Sequence, residues 1–176
     1  MMIKIVKTLF VIFILGLSVS KADTPNNWVK IPSGRFYPFF ADTTVPLDIE
    51  SFQIMTTQVT NADYLEFVKK NPQWRRSKIK KLFAEKTYLN YWQSDTILGP
   101  MANPNAPVVM VSWFAANAYC SWKGGRLADI REWEYVASAS KTKKYSYKDE
   151  SFSTELLGMY ERMPKLPLPN VGERFK

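Results

Sequence analysis

Chemistry in this chain has to come from a small set of side chains. Cys120 is the one thiol. Glu132 and Glu134 stand two residues apart. Trp113, Trp122 and Trp133 recur at helical intervals, and Arg75, Arg76, Lys78, Lys80 and Lys81 crowd into one short stretch. The chain has no histidine, which excludes a Ser-His-Asp triad, a Cys-His dyad and imidazole-ligated zinc or iron. A single cysteine forms no intrachain disulfide, no CxxC redox pair and no thiolate metal cage. Carboxylates, lysine, tyrosine, Ser/Thr hydroxyls and one thiol are what remain for catalysis within the chain.

Each candidate also has a structural reading, and in each case that reading is preferred. Cys120 falls on an apolar stripe with Trp113 and Ala116, where a free cysteine serves as a small core residue. Residues two apart on a helix diverge, so Glu132 and Glu134 do not share a site. Glu132 reads as a helix-capping acid and Glu134 as a candidate partner for Arg126. The three tryptophans could line a sugar or peptide groove, but at helical spacing they read as core. The basic cluster could meet a polyanion or membrane headgroups. Its alternative is the solvated face of a helix whose other face is Ile79, Leu82 and Phe83, and an exported protein is an improbable partner for nucleic acid. No catalytic, cofactor-binding or metal-ligating residue is therefore assigned.

The elements that position these residues follow from pattern. Of the 176 residues, 46% are hydrophobic, 23% charged and 15% aromatic, a composition that supports a packed, ring-rich core. Lys4 and Lys7, the apolar run Thr8 to Leu17 and the small residues ending at Ala22 have the build of a secretory signal peptide over 1–22. Its loss leaves residues 23–176 as one domain and removes three lysines, lowering the formal charge from +8 to +5. A periplasmic or secreted location follows, with membrane attachment only through that segment if it is uncleaved.

Trp28–Ile31 alternates as a half-buried strand, and Pro32-Ser33-Gly34 reads as the turn of a hairpin with Arg35–Tyr37. Val45 to Ile54 reads as a strand bent near Ser51. Thr60 and Asp63 open a helix that buries Tyr64, Phe67 and Val68 and stops at Asn71-Pro72. A short helix covers Lys78 to Glu85, and Tyr88 to Asn105 is loop. Pro107–Val111 reads as a buried strand. Ser112 caps a helix over Trp113–Lys123 with Gly124 as its stop, buried along Trp113/Ala116/Cys120 and Ala115/Tyr119/Trp122. Asp129 caps the next helix, with Trp133, Val136 and Ala137 toward the core. Lys141 to Glu150 reads as exposed, Ser153 as the cap of a last helix to Met163 ended by Pro164, and Leu166–Pro169 as extended.

Four stretches, in order, resemble the sulfatase-modifying-factor, or formylglycine-generating-enzyme, family. Ile31-Pro32-Ser33-Gly34-Arg35-Phe36 is similar to its "IPGGxF". Thr57 to Tyr64 with Phe67-Val68 is similar to "xEVTNxxYxxFV". Pro107 to Trp113, then Ala116, Tyr119-Cys120 and Trp122, is similar to "PVxxVSWxDAxAYCxW". Gly125-Arg126-Leu127 with Arg131 to Tyr135 is similar to "GxRLPTEAEWEYA". The chain departs at Tyr37-Pro38, at Phe114-Ala115 where the family has a helix acid, and at Ala128–Arg131.

The resemblance implies an α+β, irregular, loop-rich C-type-lectin-like fold, incomplete at the C-terminus because the sequence stops before the family's later motifs. It implies a family activity of oxidising a sulfatase cysteine to formylglycine with copper. Cys120 matches the "AYCxW" cysteine, which is not one of the copper pair, so no cofactor is expected within this chain and activity by the chain alone is not expected. A sulfatase-like protein or another periplasmic protein is the implied partner. The alternative function is a non-catalytic protein- or glycan-binding module on the same scaffold.

Overall fold

The computed structural model describes residues 28–38, 44–139, 143, 146, 150–161 and 165–173. The expected signal peptide lies outside them. The architecture is mixed α+β, with four strands, β1 (Trp28–Ile31), β2 (Gly34–Phe36), β3 (Leu47–Ile49) and β4 (Phe52–Met55), and four α-helices, α1 (Asn61–Lys70), α2 (Trp113–Trp122), α3 (Ile130–Ala137) and α4 (Glu150–Glu161). A short 3₁₀ turn, Pro72–Trp74, follows α1.

The strands form one bent antiparallel ribbon. β1 pairs β4 with Ile31 opposite Phe52, and β2 pairs β3 with Gly34 opposite Ile49, so the register carries straight across the break. The break falls at Pro32-Ser33, where proline offers no N–H to the ladder. This corrects the expected hairpin: Pro32–Gly34 bends one arm and does not reverse the chain. The bend expected near Ser51 is present, between β3 and β4. Helix α3 rests on the β2/β3 arm, where the Tyr135 ring lies 5.5 Å from that of Phe36. A β-carbon on Gly34 would come within 2.2 Å of the Tyr135 hydroxyl, so any side chain there must displace that ring.

Helix α1 begins as its sequence dictates. The Thr60 side chain accepts from the Asp63 N–H and the Asp63 carboxylate accepts back from Thr60, a reciprocal capping box. Tyr64, Phe67 and Val68 are buried beneath it. Asn61 sits on the same stripe, three residues before Tyr64, and is 1% exposed. Its Nδ2 donates to the carbonyls of Asn103 (2.9 Å) and Ala106 (3.2 Å), and its Oδ1 accepts from the Tyr91 hydroxyl (2.6 Å) and Trp92 Nε1 (3.0 Å). That one amide pulls the long loop onto the helix. Tyr88, Leu89, Trp92 and Ala102 are consequently buried with Tyr64, Phe67, Val68, Ala115 and Tyr119 in one cluster. Tyr64 stacks on Tyr119 at 5.5 Å, and Phe67 meets Tyr119 edge-on at 5.6 Å. The loop was expected, but its share of the core was not.

Several expectations are corrected. Residues 75–84 form turns in place of a helix over Lys78–Glu85, and two of the cluster's cations serve as carbonyl ties. Arg75 donates to Val68 and Lys69, and Arg76 to Leu89, Asn90 and Trp92. Pro107–Val111 is not a strand. Its polar groups are met one at a time: Val108 N–H donates to Val59 O, Val109 N–H to the Tyr91 hydroxyl, and Met110 O accepts from Leu89. Helix α2 buries only its Ala115/Tyr119 side, against α1, and Trp113 is 65% exposed. On α3, Trp133 is 56% exposed and Ala137 exposed, while Glu132 and Glu134 are the buried residues. Helix α4 starts at Glu150, so Ser153 lies inside it. Most of 141–149 and Met163-Pro164 fall outside the described residues, though Lys143 is exposed. The tail bends at Leu166-Pro167. It docks through Val171 N–H to Asn105 O and the Asn103–Asn170 side-chain bond.

Replacing Asn61 by alanine strands two ring donors and two carbonyls in the interior. We expect a loss of about 3 kcal/mol or more, read from denaturant melts. Trp133→Ala, at an exposed ring, should stay within about 0.5 kcal/mol of the parent in the same assay.

Candidate functional site

An open cleft of about 730 Å³ lies between the β1/β4 end of the ribbon, the C-terminal end of α2 and the segment leading into α3. One wall is Trp28, Phe52, Ile54 and the run on to Val59; the other is Cys120, Lys123 and Gly124 through Ala128, with Glu132. The sequence builds the second wall locally. Gly124 takes φ +79°, which glycine adopts freely. Its N–H donates to Ser121 O, and Gly125 N–H to Cys120 O at 2.9 Å, the paired bonds of a Schellman stop. The Trp28 indole lies over Gly125, where an added β-carbon would sit 3.3 Å from it.

Arg126 then forks onto Glu132, with NH1 to Oε2 at 2.7 Å and NH2 to Oε1 at 2.5 Å. Glu132 Oε2 also accepts the Asp129 N–H, and Asp129 Oδ1 accepts the Glu132 N–H, each at 2.9 Å. The expected capping box of α3 is thus present. The expected Arg126–Glu134 pair is not: Arg126 pairs with Glu132, because the cap turns that carboxylate back toward the loop. Burial of Glu132 is made tolerable by this double satisfaction. The Arg126 guanidinium holds the Glu132 carboxyl below the usual carboxylate range, with burial opposing and the Asp129 amide assisting.

Cys120 is half-buried and free. Burial raises its thiol above the ordinary value, so at neutral pH it stays protonated and is a weak nucleophile. The tryptophans do not converge. Trp122 packs on Phe67 and Tyr119 and carries the ammonium groups of Lys70 and Lys123 at 5.6 and 5.0 Å. Trp113 borders a different groove, and Trp133 lines neither. The cleft tryptophan is Trp28, which sequence reasoning placed only in a strand. Strand periodicity put it on one face of β1 but could not put it against Gly125.

Comparison with known proteins gives the family. The profile described as "Sulfatase-modifying factor enzyme 1-like domain" matches residues 17–163. The chain belongs to the sulfatase-modifying-factor family. A formylglycine-generating enzyme of Streptomyces coelicolor is 48% identical over 48 residues, 27% of this chain and 15% of that protein. "Inactive C-alpha-formylglycine-generating enzyme 2" of Bos taurus is 28% identical over 145 residues, 63% of this chain and 48% of that protein. Its Mus musculus counterpart is 28% identical over 142 residues, covering 62% and 46%. The chain therefore spans about half the length, or less, of these relatives. The family's copper does not fit the residues here. A soft-metal thiolate site needs converging sulfurs; the chain has one cysteine and no histidine. Among the described residues no three His, Cys, Asp or Glu side chains gather as a metal site.

Two outcomes follow. Cys120 should react with a thiol reagent at least about tenfold slower in the native protein than when unfolded, in a stopped labelling assay at neutral pH. The pH dependence of stability has a definite sign. Because Glu132 has a lower pKa folded than unfolded, its contribution is complete above the unfolded value of about 4.3 and is lost as pH falls through the lower folded value. Glu132→Gln should cost about 1 kcal/mol at neutral pH, small because Arg126 is solvent-exposed. It should also make the acid limb of the thermal-melt profile shallower below about pH 4.

Proposed function

We propose that this chain is an exported domain of formylglycine-generating-enzyme type that engages a sulfatase-like protein partner and does not itself oxidise the partner's cysteine. Export rests on the basic and apolar N-terminal segment. The C-type-lectin-like architecture, with its front portion represented by these residues, is part of the same proposal, as is a periplasmic or secreted location. The family's oxidation requires a copper-binding cysteine pair that none of the 176 residues supplies. The observation that carries the reading is the combination of an intact framework with an absent ligand set. The α1 and α3 capping boxes and the Arg126–Glu132 fork are in place, while the single cysteine of these residues has no second sulfur beside it.

The cleft supports the second reading, a non-catalytic binding module. β4 pairs with β1 on one side and lines the cleft through residues 53–55. An extended peptide can lie along such a strand and take main-chain hydrogen bonds from it. Arg126, fixed from behind by Glu132, and Lys123 would meet acidic groups or carbonyls of that segment.

Both readings are tested by incubating the purified mature chain with a cysteine-containing sulfatase peptide, copper, reductant and air. The expected result is binding by fluorescence anisotropy and no thiol-to-aldehyde mass loss by mass spectrometry. Thr57→Trp, which fills the cleft, should remove the binding. Conversion of the cysteine by this chain alone would overturn the first reading, and binding untouched by Thr57→Trp would overturn the second.

A further inference from the structure

The basic cluster and Trp113 have no role in the cleft, and the fold brings them together elsewhere. The turns over residues 77–87 lie beside the N-terminal end of α2 and leave an open groove of about 450 Å³ lined by Leu82, Phe83, Met110, Trp113 and Phe114, with Lys81 at its border. The rings run continuously: Phe83 to Phe114 at 5.2 Å, and Phe114 to Trp113 at 5.4 Å. Leu82 is 81% exposed, and Met110 and Phe114 are 43% and 45% exposed. Met110 also holds φ +54°, a left-handed conformation that a glycine would take without strain. An apolar side chain kept at a strained, exposed position points to use of the surface.

The charge around this patch is mostly positive: Lys78, Lys80, Lys81 and Lys86 are exposed, against the single acid Glu85, which also lines the groove. The first turn of α2 carries no acidic residue, so the helix presents its positive end uncompensated. The helix that would have made Leu82 and the lysines opposite faces of one element does not form, so both reach solvent on the same turns.

We propose that this face docks on an anionic lipid bilayer. Leu82, Met110, Trp113 and Phe114 enter the interface, and the lysines sit at the level of the headgroup phosphates. The observations favour a bilayer over a protein partner because the outermost apolar groups stand out into solvent, Leu82 at 81% and Trp113 at 65% exposed. Leu82 stands out beside two lysines. A rigid partner would need a pocket for it, whereas a fluid interface takes up protruding apolar side chains and pays back each nearby lysine electrostatically. No described helix is long and apolar enough to cross a membrane, so the contact is peripheral.

The experiment is co-sedimentation of the mature chain with phosphatidylglycerol-containing vesicles and with pure phosphatidylcholine vesicles, at low and high salt. Binding is expected to the anionic vesicles, weakened by salt, with a blue shift of tryptophan emission that Trp113→Ala removes. Lys80→Glu/Lys81→Glu should weaken it by about tenfold or more. Leu82→Ser should weaken it several-fold while leaving the salt dependence in place. All four residues are exposed, and thermal melts equal to the parent's confirm intact folding. Equal sedimentation with both vesicle types overturns the proposal. So does Leu82→Ser binding like the parent while soluble polyphosphate competes fully, which would make the patch a simple polyanion site. Indifference to vesicles combined with peptide binding sensitive to Leu82→Ser would make it a protein interface and equally refute it. The Thr57→Trp cleft variant should bind vesicles as the parent does, so failure here and failure of the cleft reading are separable.

Discussion

Asn61 holds this fold together. Its carboxamide stands at the first turn of α1 with every donor and acceptor turned inward, onto two carbonyls, a phenol and an indole from the long loop that follows. Buried amides are costly unless satisfied, and a satisfied one admits a single arrangement of its partners. The loop of Tyr88 to Ala106 thereby becomes a wall of the core, with Tyr88, Leu89 and Trp92 delivered against α1 and α2. The Tyr64 and Tyr88 hydroxyls bond at 3.0 Å inside the same cluster, and burial pushes Tyr88 up to about 12. Arg76 closes the other end by collecting the Leu89, Asn90 and Trp92 carbonyls.

A second assembly is built on close approach. Gly34 admits the Tyr135 ring to the ribbon, and Gly125 admits the Trp28 ring to the turn after α2. Between these two contacts runs the segment that carries Arg126 into the α3 capping box. The cleft is the space left where the assembly meets the Asn61 core. Within it, Arg126 and Glu132 are committed to each other.

Much of this could be read from the residues themselves. The caps of α1, α2 and α3 follow from Thr60/Asp63, Ser112 and Asp129/Glu132, and the α2 stop follows from Gly124. These are interactions within one turn, so spacing along the chain is the whole geometry. The family was legible for the same reason, since its motifs are these turns together with the rings beside them. The α+β class followed from the mixture of short alternating runs and capped helices.

Decisions between distant segments were not legible. Whether an apolar stripe is core depends on what lies across from it: Ala115 and Tyr119 have α1 opposite them, while Trp113 and Trp133 project to solvent. Pairing partners depend on where chain reversal occurs, so Pro32-Ser33-Gly34 could be read as a turn until β4 and β3 took up both halves of that arm. Arg126 chose Glu132 over Glu134 because the cap had already turned Glu132 toward it. Asn61 was within reach of pattern reasoning, since it shares the Tyr64/Val68 stripe, but its partners lie some thirty to forty-five residues away. Sequence alone determined the caps of α1, α2 and α3, the Gly124 stop of α2, and the absence of histidine and paired thiols. Tertiary structure decided which faces are inside, because burial is a property of two surfaces and a sequence window contains only one.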